Sequence, residues 1–322
     1  LIDICLLGTG GMMPLPQRWL TSLMVRYNGR SILLDCGEGT QIAMKRRGWS
    51  PNPIDVMLFT HYHADHISGL PGMLLSMGNA ERTEPVLMVG PKGLQKVVES
   101  LRIIAPELPF PIQYRELEQD QEELDLPGEK DFHIRAYRVN HRVPCYCYSF
   151  TLDRAGRFDA ARAKEQGIPL PLWSRLQKGE TIEEDGRCYT PDMVMGPERR
   201  GLKIAYATDS RPCSNIVACA KDADLFICEG MYGEDDKLPK AKEKKHMTFS
   251  EAAHLAEKAQ PKQLWLTHFS PSEMHPEAYI PATRKIFART VAGRDGKSLT
   301  LNFSEDAQQE EDKTPARKEN DD

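Results

Sequence analysis

The sequence predicts an α/β fold of sheets covered by helices, and three observations carry that expectation. Short apolar runs rich in β-branched residues recur along the chain, helical stretches fall between them, and an early hairpin-like order gives way to strand–helix alternation. The strand candidates, in order, are "IDICLLG", "SLMVRY", "RSILLDCG", "DVMLFT", "VLMVG", "FHIRAYRV", "CYCYSFTL", "LKIAYATD", "ADLFICEG", "KQLWLTH" and "SLTLNF". Helices are expected in "GTQIAMKRRG", "ISGLPGMLLSMG", "GLQKVVESLRIIA" and "SEAAHLAEKAQ". For the last of these Ser250 is the expected N-cap, with Ala253 at the capping-box position.

Residues 154–202 interrupt this rhythm between two core-like strands. The segment is polar and punctuated by Pro and Gly, with one short helix expected around Asp159–Gln166. Structureless loops of that length are uncommon inside compact domains, so an inserted arm is expected. The organisation then reads as a core of residues 1–153 and 203–303, an arm of 154–202, and a charged tail of 304–322 whose low hydrophobicity predicts disorder.

Composition narrows the class. Apolar residues make up 40% and charged residues 28% of the 322, as in a soluble globular protein. No apolar run approaches the ~18–20 residues of a membrane span, and Leu1 opens on a strand-like run rather than a signal peptide. The eight cysteines form no Cys-x-x-Cys pair, and Cys5, Cys36 and Cys228 fall in apolar runs where free cysteine packs as a small hydrophobe. A reduced, cytoplasmic protein is expected. The net charge of −5 resides wholly in the tail from Ser304, with its eight acids and three bases, so a polyanionic partner is not excluded. Two basic runs stand out, "MKRRGW" (Met44–Trp49) and "KLPKAKEKKH" (Lys237–His246); such runs are often only solvated faces.

The chemistry concentrates in "FTHYHADHISGL", residues 59–70, which holds three of the chain's nine histidines. Imidazole is the commonest metal ligand in proteins. The i, i+2 spacing of His61 and His63 points both side chains to one side of an extended chain. Asp65 and His66 follow where a helix begins. One ion cannot easily use all four from so short a span, so the spacing suggests two adjacent metals. Further ligands are sought at strand ends, where open sheets place their sites: "RAYRVNH" ends in His141, "KIAYATDS" near Asp209 and "QLWLTH" in His268. Taken singly, each also reads as a surface or hydrogen-bonded residue; their common position favours ligation. His/Asp ligation without cysteine suits zinc or manganese in a hydrolytic centre, with Asp209 a natural bridging carboxylate.

The motif His61-Tyr62-His63-Ala64-Asp65-His66 is similar to the His-x-His-x-Asp-His signature of the metallo-β-lactamase superfamily. That resemblance implies an αββα sandwich with the site at one edge. Within it the chain resembles the ribonuclease Z family, through "LLGTGG", "LLDCGEGTQ", "FTHYHADHISGLPGML", "VGPKGL", "YATDSR" and "HMTFSEAAHLA". The match runs to about Phe303. "IPLPLWSRLQKGETI" in the insertion resembles the arm with which that family clamps the elbow of tRNA.

Residue by residue, the resemblance implies one zinc on His61, His63 and His141, a second on Asp65, His66 and His268, and Asp209 between them. Two Zn2+ per chain are expected, with Mn2+ as the other possibility. It also implies that His246 is a catalytic histidine outside the ligand set, that Glu229 orients it, and that Asp65 takes part in proton transfer. Arg18, Trp19, Lys244 and Lys245 are the expected contacts to substrate. The family's acceptor-end loop has lysine and asparagine where this chain has Pro16 and Trp19, and its Gly-Pro arm tip is replaced by "PLPL". The implied activity is endonucleolytic removal of the 3′ trailer from precursor tRNA by a cytoplasmic homodimer without membrane attachment. The competing reading is a phosphodiesterase of the same fold acting on small molecules.

Overall fold

Strands buried on both faces explain the continuous apolar runs in the sequence. In the computed structural model, which describes residues 1–126 and 128–303, these strands form two seven-stranded sheets. The first sheet runs, edge to edge, Ser298–Leu301, Ile2–Gly8, Ser22–Tyr27, Arg30–Leu34, Ile54–Leu58, Val86–Pro91 and Ile112–Leu117. Its first four strands are antiparallel and the rest parallel. The second sheet has the same plan: Thr290–Ala292, Leu264–Thr267, Leu225–Glu229 and Arg199–Ala207 run parallel, and Tyr146–Arg154, Phe132–Arg138 and Gln121–Leu124 continue antiparallel.

Alternation along each strand builds three packed layers of side chains. Ile2, Ile4 and Leu6 turn inward to meet Ile134, Tyr148, Ile204 and Ile227 of the facing sheet. Cys5 and Leu7 turn outward beneath the helices Thr40–Arg47 and Leu70–Asn79. On the far side Ala205, Phe226, Cys228 and Leu266 pack beneath Ser214–Ala220 and Phe249–Ala259. The result is the αββα sandwich expected from the sequence. Among the described residues no helix is long and apolar enough to cross a membrane.

Several local expectations need correction. Helix Phe249–Ala259 is capped by Thr248, not Ser250: Thr248 Oγ1 accepts from Glu251 N at 3.3 Å, and the Glu251 carboxylate accepts from Thr248 N at 3.1 Å. That reciprocal box starts the helix one residue before Ser250. The stretch "ISGLPGMLLSMG" is divided between Ala64–Ile67 and Leu70–Asn79. Three edge strands, Ile112–Leu117, Gln121–Leu124 and Thr290–Ala292, had no continuous apolar run to mark them.

The segment 154–202 carries more order than one short helix. It contains Ala160–Glu165, Leu170–Gln177 and a hairpin of Ile182–Glu184 with Arg187–Tyr189. Asp185 and Gly186 turn that hairpin with φ of 50° and 74°, the left-handed pair that a tight two-residue turn requires. Ala163, Ile168, Leu172, Leu176, Ile182, Tyr189 and Val194 form a small core of their own. The flanking strands reach into the segment, since Arg199 pairs with Arg154. The expectation of disorder for the tail 304–322 lies outside the described residues.

Candidate metal centre

Every residue expected to ligate stands at, or just beyond, the C-terminal end of a strand. Thr60, His61 and His63 follow Ile54–Leu58; Asp65 and His66 lie on the short helix Ala64–Ile67. His141 follows Phe132–Arg138, Asp209 follows Arg199–Ala207, and His268 follows Leu264–Thr267. The turns are tight enough to hold Asp35, Asp209 and His268 at φ of 54°, 40° and 57°. Left-handed backbone at non-glycine residues clusters at functional sites, where surrounding structure fixes it.

The side chains converge as two sets. In one, His63 Nδ1 is 2.9 Å from His61 Nε2 and 3.3 Å from His141 Nε2. In the other, His268 Nε2 is 3.2 Å from His66 Nε2 and 3.3 Å from Asp65 Oδ2. Asp209 addresses both. Its Oδ2 lies 3.5 Å from His61 Nε2 and 3.7 Å from His141 Nε2, while its Oδ1 lies 3.0 Å from His66 Nε2 and 3.1 Å from His268 Nε2. Asp209 Oδ1 nevertheless has no hydrogen-bond partner among the described residues, although it is buried. Ring nitrogens and carboxylate oxygens gathered this closely fit residues arranged around cations.

The outer contacts settle which ring nitrogen faces inward. His66 Nδ1 donates to Asp35 Oδ2 at 2.9 Å, and His141 Nδ1 donates to the Lys245 carbonyl at 3.1 Å. Each bond leaves Nε2 directed into the centre, the usual arrangement for a ligating histidine. Asp35 is itself held by Thr60, whose N–H and hydroxyl donate to it at 2.8 and 2.9 Å. Met12 N donates to Asp65 Oδ2 at 2.7 Å.

Electrostatics agree with this geometry. Burial, reinforced by the positive charge of neighbouring imidazoles, keeps the His61 pKa well below its ordinary value, and burial lowers His63 and His141. Burial opposes charge on Asp65 and Asp209 as well, but the adjacent histidines overcome it and hold both carboxyls well below the usual range. Burial also disfavours a cationic His66, yet the carboxylates of Asp209, Asp35 and Asp65 raise its pKa well above the ordinary value. Ionised Asp65 and Asp209, beside His61, His63 and His141 whose burial disfavours the cation, make a donor set suited to divalent metal.

His246 stands beside these sets. Its ring centroid is 5.4 Å from that of His141 and 5.5 Å from that of His268. It is also close enough to Asp209 and His268 to form a third possible metal group. We read it as a non-ligand because it joins neither the His61/His63/His141 set nor the Asp65/His66/His268 set and meets only Asp209 and His268, which those sets already use; its Nδ1 is bonded to Glu229 Oε2 at 3.1 Å. Glu229 is fully buried and accepts from Ser210 N at 2.5 Å through its other oxygen. Burial works against a charged His246, but the Glu229 carboxylate prevails and its pKa is pushed up to about 9.

The four expected substrate contacts fare differently. Lys244 lines a pocket together with His63, His141 and His246. Lys245 donates to Asn140 Oδ1 at 3.2 Å in an exposed bond. Arg18 lies over the ring of Phe269, next to His268, with its guanidinium carbon 5.4 Å from the centroid. Trp19 rests on Gly39, where an added Cβ would fall 2.1 Å from the indole.

Sequence reasoning missed Asp35, Thr60 and the pair Arg211–Glu251. Arg211 donates to the His246 carbonyl at 2.6 Å and to Glu251 Oε2 at 2.8 Å, joining the Asp209 turn to the His246 turn. Asp35 ends "RSILLD" just as the ligands end their own runs, and that signal could have found it.

Similar proteins were found by sequence and by structure. A family model described as anti-Pycsar protein Apyc1 matches residues 2–156, and one described as a beta-lactamase superfamily domain matches residues 187–269. Ribonuclease Z of Lachnospira eligens is 58% identical over 306 residues, 95% of this chain and 100% of that protein. Ribonuclease Z of Agathobacter rectalis is likewise 58% identical, with the same coverage. The crystal structure of human tRNase Z, short form, shares the fold with a TM-score of 0.68 at 24% identity, covering 94% of this chain and 100% of that one.

Proposed function

Because the chain belongs to the ribonuclease Z family, we propose that it is a zinc-dependent endoribonuclease that removes the 3′ trailer from tRNA precursors. It is a metal-dependent hydrolase of the metallo-β-lactamase fold. The observation that carries the finer reading is Asp209, whose two oxygens address two separate donor sets while the Oδ1 side has no hydrogen bond. His61, His63 and His141 would hold one divalent ion, Asp65, His66 and His268 the other, with Asp209 shared. Two such ions would supply charge stabilisation at phosphorus and an activated water at neutral pH.

The chain's own residues do the rest. Asp65, kept ionised and aimed by the Met12 N–H, accepts a proton from the attacking water at Oδ2. His246, protonated and oriented through Nδ1 by Glu229, donates a proton to the leaving 3′-oxygen. Burial of Glu229 and its bond from Ser210 keep that imidazole from turning. The products are a tRNA with a 3′-hydroxyl and a trailer with a 5′-phosphate.

The insertion supports a homodimer in which the arm of one subunit serves the site of the other. It leaves the core where Tyr146–Arg154 ends and Arg199–Ala207 begins, whereas Asp209 follows the opposite end of the latter strand. Nine residues of strand put its root about 30 Å from its own metal centre. Lys244 and Arg18 then contact the phosphate backbone, giving affinity that falls with added salt.

The test is cleavage of a 3′-extended precursor tRNA by purified protein, with and without a chelator, beside a variant in which residues 156–197 are replaced by a short linker. The wild type should cleave once at the trailer boundary and lose activity with the metal. The shortened variant should lose precursor cleavage while still hydrolysing bis-(p-nitrophenyl) phosphate. Full precursor cleavage by that variant would favour the small-molecule phosphodiesterase reading instead.

A further inference from the structure

One carboxylate outside the metal centre holds both ends of the segment that carries Met12 and Arg18. Asp295 Oδ1 accepts from Thr9 N at 2.9 Å and from Thr9 Oγ1 at 2.8 Å, and its Oδ2 accepts from Trp19 N at 2.6 Å. Gly10 N donates to the Trp19 carbonyl at 2.9 Å, so residues 9–19 form a loop with a closed neck. The turn that supplies Asp295 is fixed by its own backbone. Gly293 N donates to the Leu266 carbonyl of the second sheet, Gly296 N donates to the Leu6 carbonyl of the first, and Leu6 N donates to the Lys297 carbonyl. Those bonds do not involve the Asp295 side chain, which stands as a post between the two sheets.

Beyond its neck the loop reaches the metal centre. The Thr9 carbonyl accepts from Phe269 N and Gly11 N donates to the Phe269 carbonyl, each at 2.9 Å, beside His268. A Cβ on Gly11 would fall 2.8 Å from the His268 ring, so the loop runs hard against that imidazole. Met12 N donates to Asp65 Oδ2 at 2.7 Å, and Arg18 leaves the neck to lie over Phe269. Resting on the function proposed above, we infer that Asp295 is a positioning residue: through this neck it sets both the aim of Asp65 and the place where Arg18 meets the RNA backbone. Hydrogen bonds onto an ionised acceptor are the strong kind, and here three of them converge on one carboxylate. A carboxamide in its place has one acceptor oxygen rather than two, so the N–H of either Thr9 or Trp19 would face an NH2 donor. The neck then opens, and Met12 N and Arg18 shift with it.

The test is a kinetic cycle of Asp295→Asn, Arg18→Ala and the double variant on precursor tRNA, with bis-(p-nitrophenyl) phosphate as a second substrate for Asp295→Asn. That substitution should leave metal content at the wild-type level. Its rate on bis-(p-nitrophenyl) phosphate should fall by up to about 100-fold, the cost of roughly 1 Å of misplacement. Its KM for the precursor should rise about as far as that of Arg18→Ala, and the double variant should show no further rise. Thr9→Val removes only the hydroxyl's bond and should give the same two losses on a smaller scale; it carries the test alone if Asp295→Asn does not fold. Additive KM effects in the double variant would make Asp295 a structural staple and overturn the inference. So would loss of metal, or a lowered thermal transition with both kinetic constants unchanged. A wild type that cannot cleave the precursor would overturn the proposed function instead, and the small substrate would still judge the link from Asp295 to Asp65.

Discussion

The paired strands Tyr146–Arg154 and Arg199–Ala207 end in two different kinds of structure. At one end Tyr146 N donates to the Thr60 carbonyl and the chain enters the metal centre, where Asp35 and Asp209 are buried against His66. At the other end the chain leaves the sandwich for a small lobe with seven buried side chains of its own. Charged groups held in a dry site depend on every neighbour, since an unpaired buried charge is costly. A lobe tethered by two strands depends mainly on itself. Substitutions at the first end should therefore damage chemistry and metal together, and those at the second should alter RNA recognition alone.

The largest effect is expected from His66→Ala. It removes one donor, leaves Asp35 without its imidazole partner, and opens a void beside Asp209. Precursor cleavage and bis-(p-nitrophenyl) phosphate hydrolysis should both fall below detection, and metal per chain measured by atomic emission should fall with them. Retention of full metal content would show that the two donor sets are less interdependent than this geometry implies.

Next comes His246→Ala, which divides the centre itself. The imidazole hydrogen-bonds to Glu229 rather than standing within either ligand set, so metal content should remain at the wild-type level. Loss of a general acid costs about 10²- to 10⁴-fold in turnover. A substrate with a nitrophenolate leaving group, which needs no proton, should be hit far less. Loss of metal in this variant would make His246 a ligand and the assignment of roles wrong.

The two ends also differed in how legibly the sequence announced them. The candidate ligands are rare residue types placed where apolar runs stop, so the grouping of His61, His63, His66, His141 and His268 could be anticipated from position and spacing. Asp35 escaped because an aspartate before Cys-Gly also reads as a turn former, and its partner His66 is 31 residues away. The Arg211–Glu251 pair is separated by 40 residues and left no local trace. In the insertion, "IPLPLW" looked irregular because proline breaks helix interiors. Yet Pro171 sits in the first turn of Leu170–Gln177, where its missing N–H costs nothing. Residues Ile182–Glu184 and Arg187–Tyr189 are too short to show a period-two pattern before their partners are known.

The smallest and most discriminating effect belongs to Leu176→Ala in the insertion. Leu176 is fully buried, and its neighbours Leu172, Ile182 and Tyr189 belong to the same cluster rather than to the sandwich. Truncating a buried leucine costs about 2–5 kcal/mol, which a seven-residue core can scarcely absorb. The lobe should therefore loosen, while the sheets, whose core lies between Ile4 and Ile204, remain intact. Hydrogen exchange should rise across 156–197 with no change in the strands, the main thermal transition should hold, and bis-(p-nitrophenyl) phosphate hydrolysis should stay at the wild-type rate. KM for precursor tRNA should rise several-fold. A fall of the main transition by the full cost of the leucine would mean that the lobe and the sandwich unfold as one unit, and the two ends of these strands would then be a single cooperative structure.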